Sequence, residues 1–398
     1  MATRLLVFDT HPVQYRVPVW QEIEAVSPGT VHVVYASDCS VRGHLDTGFN
    51  KTIAWDEPLL DGYQSTILNC ERGTPFEGWG SLTGDGVEQV FETVRPDNIL
   101  LTGFNYKYDL VAFWHAYKRN IPVYLRCETQ DQATNRSKFK QLVRHQLYSF
   151  LYKYVDTFFY IGQLNKQHYL DHGVQEHKLK PAHYFTIDRF KSLSVSQKIS
   201  LRNEYRERAG IPEDALVVGF SGKFIPKKNP DILFEIIEHM PAELASKVHF
   251  YFLGSGELEE SLKQKAGELS NKYGVKTFFA GFSNQSQLPG HYLSMDILVL
   301  PSRRMGETWG LVTNEAMQAG CSVVVSSAVG CKEDFRSLER FRIFEEASSS
   351  DLASQIISLS YYPRSFDWAA NSLEKYSVDF TANAIIETLN KKQDLVTV

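Results

Sequence analysis

Residues 301–326, PSRRMGETWGLVTNEAMQAGCSVVVS, limit what this chain can become more than any other stretch. They follow one short apolar run, 297–300, and end on another, 323–325. Both runs read as parallel strands buried on two faces. Between them, residues from about 310 to 319 have helical spacing, and Gly320 is placed to end that helix. The stretch is therefore strand, loop, helix, strand, the repeating unit of a parallel sheet. Gly306 and Gly310 bracket the loop and let the backbone turn sharply where the helix begins. Free amides and the positive end of the helix dipole at such a point suit a phosphate. Two carboxylates flank it, Glu307 before the helix and Glu315 inside it. Were the residues between them all helical, the two would stand about 12 Å apart. That spacing suits a sugar at one end, a ribose at the other and a diphosphate between.

The same alternation runs through the whole chain. Apolar runs at 5–8, 31–35, 99–101, 123–125 and 158–161, with helical patterns at 87–94 and 108–118, predict one Rossmann-like unit. Runs at 216–220, 248–253, 277–280, 297–300 and 323–325 predict a second, and 398 residues suffice for both. The Ser- and Lys-rich stretch 186–200 reads as the linker. The expected division is 1–190, 200–365 and a helical C-terminal part, 366–398. Ligands of such sheets gather beyond the carboxyl ends of the strands, which directs attention to the loops 9–18, 102–108 and 126–135.

The first of these loops, DTHPVQYRVP, has no glycine, so the dinucleotide fingerprint is absent. His11, Gln14, Tyr15 and Arg16 instead offer donors and acceptors suited to hydroxyl groups. Past the strand at 122–125 stand Arg126 and Glu128, which read either as an ion pair or as groups at a reacting centre. In FSGKFIPKKNP, Gly222 turns the chain before Lys223 and Lys228, point charges suited to phosphate. Gly254, in the turn LGSG, permits close backbone approach. His168, His172 and His177 lack an H-E-x-x-H pattern or a cysteine cluster, and no metal site is expected from them. The net charge of −5 argues against nucleic acid as a partner. Five cysteines with no C-x-x-C pair predict free thiols in a reducing compartment. The N-terminal apolar run is too short for a signal peptide, and nowhere do about 18 apolar residues run together, so the expected location is the cytoplasm. Residues 136–154 form a basic amphipathic helix pattern. Its apolar face is expected on the sheet with the charges solvated, the alternative being peripheral contact with a membrane at its cytoplasmic face.

Glu307 and Glu315, with seven residues between them, resemble the E-x7-E signature of the family-4 retaining glycosyltransferases. Pro301-Ser302, Gly310-Leu311, Glu315-Ala316-Met317 and Gly320 carry the same resemblance. The H-P-x-Q-Y of the first loop is similar to some bacterial polysaccharide members. The resemblance is dense in the second half and sparse in the first. It implies a GT-B fold, two Rossmann-like domains whose parallel sheets face each other across a cleft, with the final helix crossing back to the first domain. It implies a metal-independent, retaining transfer of a hexose-type sugar from a nucleoside-diphosphate sugar, UDP favoured over GDP. The acceptor would be a hydroxyl of a glycan, a lipid-linked glycan or a small molecule, and no cofactor is implied beyond the donor. In the implied roles Glu315 takes the ribose, Lys223 and Lys228 the diphosphate near Gly222 and Gly254, and the Gly310 and Leu311 amides the leaving phosphate. Glu307 and Thr308 would meet the sugar. The acceptor would meet His11, Gln14, Tyr15, Arg126 and Glu128. The pattern departs from the family at Glu128, where a histidine is common, and at the first loop, which many members make glycine-rich. Other readings compatible with the motif are a catalytically silent sugar-nucleotide-binding subunit, or an epimerase or phosphorylase on the same fold.

Overall fold

The computed structural model describes residues 3–46, 51–53, 58–68 and 78–396. Its first sheet begins with β1 (Leu5–Asp9) and β2 (Val31–Tyr35), while β3 (His44–Asp46) and β4 (Lys51–Ile53) form a separate antiparallel ribbon. The sheet continues with β5 (Gln64–Ile67), β6 (Asn98–Leu101), β7 (Val123–Leu125), β8 (Thr157–Tyr160) and β9 (Leu179–Pro181), all parallel, in the order β5-β2-β1-β6-β7-β8-β9. The second sheet has β10 (Leu216–Ser221), β11 (Val248–Leu253), β12 (Lys276–Gly281), β13 (Ile297–Leu300), β14 (Ser322–Ser326) and β15 (Phe341–Phe344), in the order β12-β11-β10-β13-β14-β15. The central strands are mostly apolar because helices cover both faces: every residue of β1, β11, β13 and β14 is buried, the polar exceptions being Asp9, His249, Ser322 and Ser326.

The strands of the two large sheets that are absent from the sequence reading lie at their edges. Gln64–Ile67 is polar in three of its four residues, Leu179–Pro181 ends on a proline, and Phe341–Phe344 is only half buried. The expected linker, 186–200, is shorter than predicted, because the helix Val195–Arg208 has already begun within it. Its start is fixed by a capping box in which Ser194 accepts from the amide of Gln197 and the Gln197 side chain answers the amide of Ser194. The helix in the organising stretch is also shorter than expected, Val312–Gln318, so residues 307–311 are loop and the all-helical spacing does not apply. Gly320, at φ +81°, ends it as predicted, pressed against the backbone at Ser365 and Phe366.

A larger departure concerns the basic amphipathic segment. It is a helix, Lys138–Leu151, but Tyr148 is its one buried residue, and Phe139, Leu142, Val143, Leu147 and Phe150 face outward. The apolar face does not lie on the sheet. At the other end of the chain, the helix Val378–Val396 places Ala382, Ile385 and Leu389 in the core of the first sheet beside Trp20 and Ile23. Cys39, Cys127, Cys321 and Cys331 are unpaired, and Cys70 lies outside the described residues. Among the described residues no helix is long and apolar enough to cross a membrane.

Candidate active site

The loop after β13 carries the first half of the site. Glu307 is buried, and its Oε2 accepts from the Lys228 ammonium and from the Ser302 hydroxyl at 2.9 Å. Burial alone would lift the carboxyl, but Lys228 and then Lys227 outweigh it and hold it below the usual carboxylate value. Lys227 also donates to the Gly306 carbonyl at 3.1 Å. The loop is thus tied to the turn after β10, and two ammonium groups stand at Gly306 and Glu307, in the loop that leads into the helix Val312–Gln318. Gly310, at φ +105°, packs its α-carbon against Leu300 and Val329, where a β-carbon would clash. The Leu311 and Val312 amides lead into the helix, and the first turn closes with the Thr313 amide donating to the Gly310 carbonyl at 2.9 Å.

Two more strand ends meet here. Gly222 closes β10 and Gly254 closes β11, and a β-carbon on Gly254, at φ +139°, would overlap the Gly222 carbonyl. Backbone therefore meets backbone, the Gly222 amide donating to Leu253 at 2.9 Å and that of Phe224 to Ser255 at 2.8 Å. Lys223 stands half-buried next to this junction, and its charge is felt at Lys227.

Glu315, one turn into the helix, lines a small pocket with Gln14, Tyr15, Thr186, Arg189 and Gln285. Its Oε2 accepts from the Tyr292 hydroxyl. Burial lifts the carboxyl to about 7, against the opposing pull of the Tyr292 hydrogen bond and the Arg189 charge. Among the described residues the buried Gln14 side-chain oxygen has no hydrogen-bond partner at this pocket, a poised acceptor. Gln14 and Tyr15, expected on the acceptor side, thus share a pocket with the residue expected to take the ribose.

A second cavity, of about 370 Å³, joins the three N-terminal loops singled out from the sequence to the loop after β13. Thr10 and Arg16, Thr102 and Asn105, and Glu128 line it together with Gly306 and Thr308. Arg16 pairs with the fully buried Asp9 at 3.2 Å. Glu128 accepts from the Tyr184 hydroxyl, and Thr308 Oγ1 approaches its other oxygen at 3.5 Å. Burial raises the Glu128 carboxyl above its ordinary value, opposed by the charges of Arg16 and Arg126. Arg126 itself does not pair with Glu128. It is buried and gives its donors to the carbonyls of Ala182, at 3.1 Å, and His183, at 3.2 Å, so it braces the chain carrying Tyr184. His11 lines neither pocket; its Nδ1 lies 3.0 Å from Thr10 Oγ1.

The loop carrying Glu128 is held from both domains. The Gly306 amide donates to Ala133 at 2.8 Å and Arg304 to the Gln132 carbonyl at 2.8 Å. On the other side, Asp131 meets His168 Nδ1 at 2.7 Å, and the other ring nitrogen lies 2.9 Å from the Tyr152 hydroxyl. His172 Nδ1 is bonded to the His168 carbonyl at 2.7 Å. The ligand atoms of Asp131, His168 and His172 fall within 4.8 Å of one another, yet both nitrogens of His168 are already engaged, and the cluster serves as a brace. His177 lies in the short helix Glu176–Lys178. Asp9, Tyr184, Arg189 and Tyr292 complete the arrangement without any motif to mark them, because their proximity is purely tertiary. Ser302 alone had a signal, its place in the Pro301-Ser302 pair.

Residues 202–365 match the family described as glycosyl transferases group 1. The chain is 32% identical over 146 residues, 36% of its length and 34% of the relative's, to an uncharacterized glycosyltransferase of Methanocaldococcus jannaschii. It is 28% identical over 140 residues, 35% and 32% of the two lengths, to the D-inositol 3-phosphate glycosyltransferase of Xylanimonas cellulosilytica. It thus spans about a third of the length of these curated relatives. Over the whole chain it resembles HepE of Anabaena, solved in complex with UDP and glucose, with a TM-score of 0.63, 16% identity and 99% of each chain covered. The architecture is GT-B, two Rossmann-like domains with parallel sheets of seven and six strands.

Proposed function

We propose that this chain is a retaining glycosyltransferase that moves a hexose-type sugar from a UDP-sugar to an acceptor hydroxyl without a divalent metal. The observation that carries this reading is the buried Glu307–Lys228 pair, next to Lys227 in the loop that leads into the helix Val312–Gln318. A diphosphate needs concentrated positive charge and amide donors, and Lys223, Lys228 and the Gly310 and Leu311 amides supply both. Glu307, already ionised, accepts from hydroxyls of the sugar, with Thr308 beside it. Glu315 accepts from the ribose hydroxyls, displacing part of its hold on Tyr292. The UDP and glucose bound to the similarly folded HepE support uracil over guanine.

The acceptor hydroxyl enters from the cavity lined by Arg16 and Glu128. It attacks on the face the diphosphate leaves, its proton passes to the departing phosphate oxygen, and the bond from the anomeric carbon to that oxygen breaks as the new bond forms. Stabilising charge on the leaving diphosphate is the larger part of the work. Glu128, held between Tyr184 and Thr308, steadies the positive charge that develops at the anomeric carbon. The test is release of UDP from a panel of UDP-hexoses with simple glycosides as acceptors, in EDTA, with the anomeric configuration of the product read by NMR. Activity lost to EDTA and restored by a divalent cation removes the metal-free claim, and an inverted product removes the retaining one.

A further inference from the structure

Among the described residues, nothing covers the apolar face of the helix Lys138–Leu151. Phe139 is 74% exposed, and Leu142, Val143, Leu147 and Phe150 are each more than half exposed. The five fall at helical spacing, so they form a single stripe. The stripe continues through neighbouring aromatics: Phe150 meets Tyr154 with ring centroids 5.5 Å apart, Tyr154 meets Tyr117 at 5.5 Å, and Tyr117 stacks on Trp114 at 6.1 Å. Exposed contiguous apolar surface of this kind marks a site of contact.

The surrounding charge identifies the partner. Lys107, Lys118, Lys138, Lys140 and Lys153 are all exposed around the stripe. Residues 136–154 contain no Asp or Glu, and in residues 104–120 the one acid, Asp109, is buried. A second copy of this chain would set these lysines against each other. We propose that this face seats the protein on an anionic lipid bilayer. Phe139, Leu142, Leu147 and Phe150 enter the acyl boundary, Trp114 and Tyr117 lie at the headgroup level, and the lysines reach back to lipid phosphates.

The same helix lines the 370 Å³ cavity from its inner side through Arg144 and Tyr148, with Arg136 just ahead of its first turn. Docking therefore brings the proposed acceptor cavity next to the lipid surface, where it would meet an acceptor carried on lipid. That last step rests on the glycosyltransferase reading, whereas the docking does not.

The experiment is flotation of the purified full chain with vesicles of phosphatidylcholine alone and of phosphatidylcholine mixed with phosphatidylglycerol, with no donor or acceptor present. The mixed vesicles carry the protein, and raised salt releases it. Leu147→Glu and Phe150→Glu abolish binding, and the double change Lys138→Glu/Lys140→Glu weakens it by about tenfold or more. Because all these side chains are exposed, each variant keeps the wild-type melting temperature; Phe139→Ser replaces any that does not. Equal partition to both vesicle types, or binding indifferent to Leu147→Glu, overturns the proposal. So does a solution dimer that Leu147→Glu disperses with no vesicle binding in either form. Vesicle binding can fail while UDP-sugar turnover persists, and the reverse, so the two readings stand or fall separately.

Discussion

Lys228→Ala probes the buried pair of Lys228 and Glu307 in the ligand-free protein. The Lys228 and Glu307 side chains are 19% and 11% exposed. Removing the lysine leaves a carboxylate that burial disfavours, with the Ser302 hydroxyl at 2.9 Å and the charge of Lys227 as the remaining compensation. Stripping one member from a buried pair costs roughly 3–5 kcal/mol when nothing else meets the charge. The surviving partners lower this to about 2 kcal/mol, a drop of about 4–8 °C in the melting temperature of a domain this size. In the double variant Lys228→Ala/Glu307→Gln no charge is left bare, so at least half of the loss returns. The pH dependence has a definite sign. In the wild type the Glu307 carboxyl lies below its ordinary value, so its stabilisation is present above the unfolded value and lost as pH falls through the folded one. In Lys228→Ala burial is less opposed, the carboxyl rises, and the deficit against wild type shrinks as pH falls from about 7.5 toward 5. Thermal melts of the three proteins across that range measure all of this. A Lys228→Ala protein that melts with the wild type near neutral pH refutes the reasoning, as does a double variant no better than the single.

Glu315 predicts a pH-dependent affinity. Its carboxyl lies near 7 in the free protein, and ribose hydroxyls favour the ionised form, so UDP binding releases a proton below that pH. By calorimetry, affinity for a UDP-hexose, whose diphosphate carries no group titrating in this range, rises by up to about tenfold per pH unit toward 7 and levels above it; Glu315→Gln should be weaker and flat, and an equally steep variant rejects the assignment. Glu128→Gln keeps the hydrogen bond from Tyr184 and removes the charge. Turnover with acceptor is expected to fall by about 10²–10⁴-fold with UDP affinity unchanged; full turnover in the folded variant reduces Glu128 to a structural support.

Much of this site can be read in the sequence, and the reason is local. Glu307, Gly310 and Glu315 belong to one strand-loop-helix unit, and Gly222, Lys223 and Lys228 to another, so linear spacing already fixes their neighbourhood. The loops at 9–18, 102–108 and 126–135 follow from the rule that ligands gather at strand ends, and all three reach the larger cavity. Hidden from the sequence are groups placed by packing within each domain, between elements that no motif links. Tyr184 on Glu128, Tyr292 on Glu315 and Asp9 under Arg16 have no spacing that announces them. The same limit explains Arg126, whose guanidinium finds carbonyls more than fifty residues away in preference to the neighbouring Glu128. It also explains the helix Lys138–Leu151: periodicity shows that an apolar face exists, but not whether the sheet has room for it. The capping box at Ser194 was legible and would have shortened the linker.

The central claim is that a nucleoside diphosphate is held between Glu315 and Lys228, and ligand-induced thermal stabilisation tests it most directly. UDP, GDP, ADP and TDP are added in turn to the wild type, Glu315→Ala and Lys228→Ala, since a ligand that binds only the folded state raises its melting temperature by mass action. The account predicts a rise with UDP in the wild type that is larger than with the other three and is reduced in both variants. No rise with any nucleoside diphosphate in the wild type, or an undiminished rise with UDP in both variants, contradicts it.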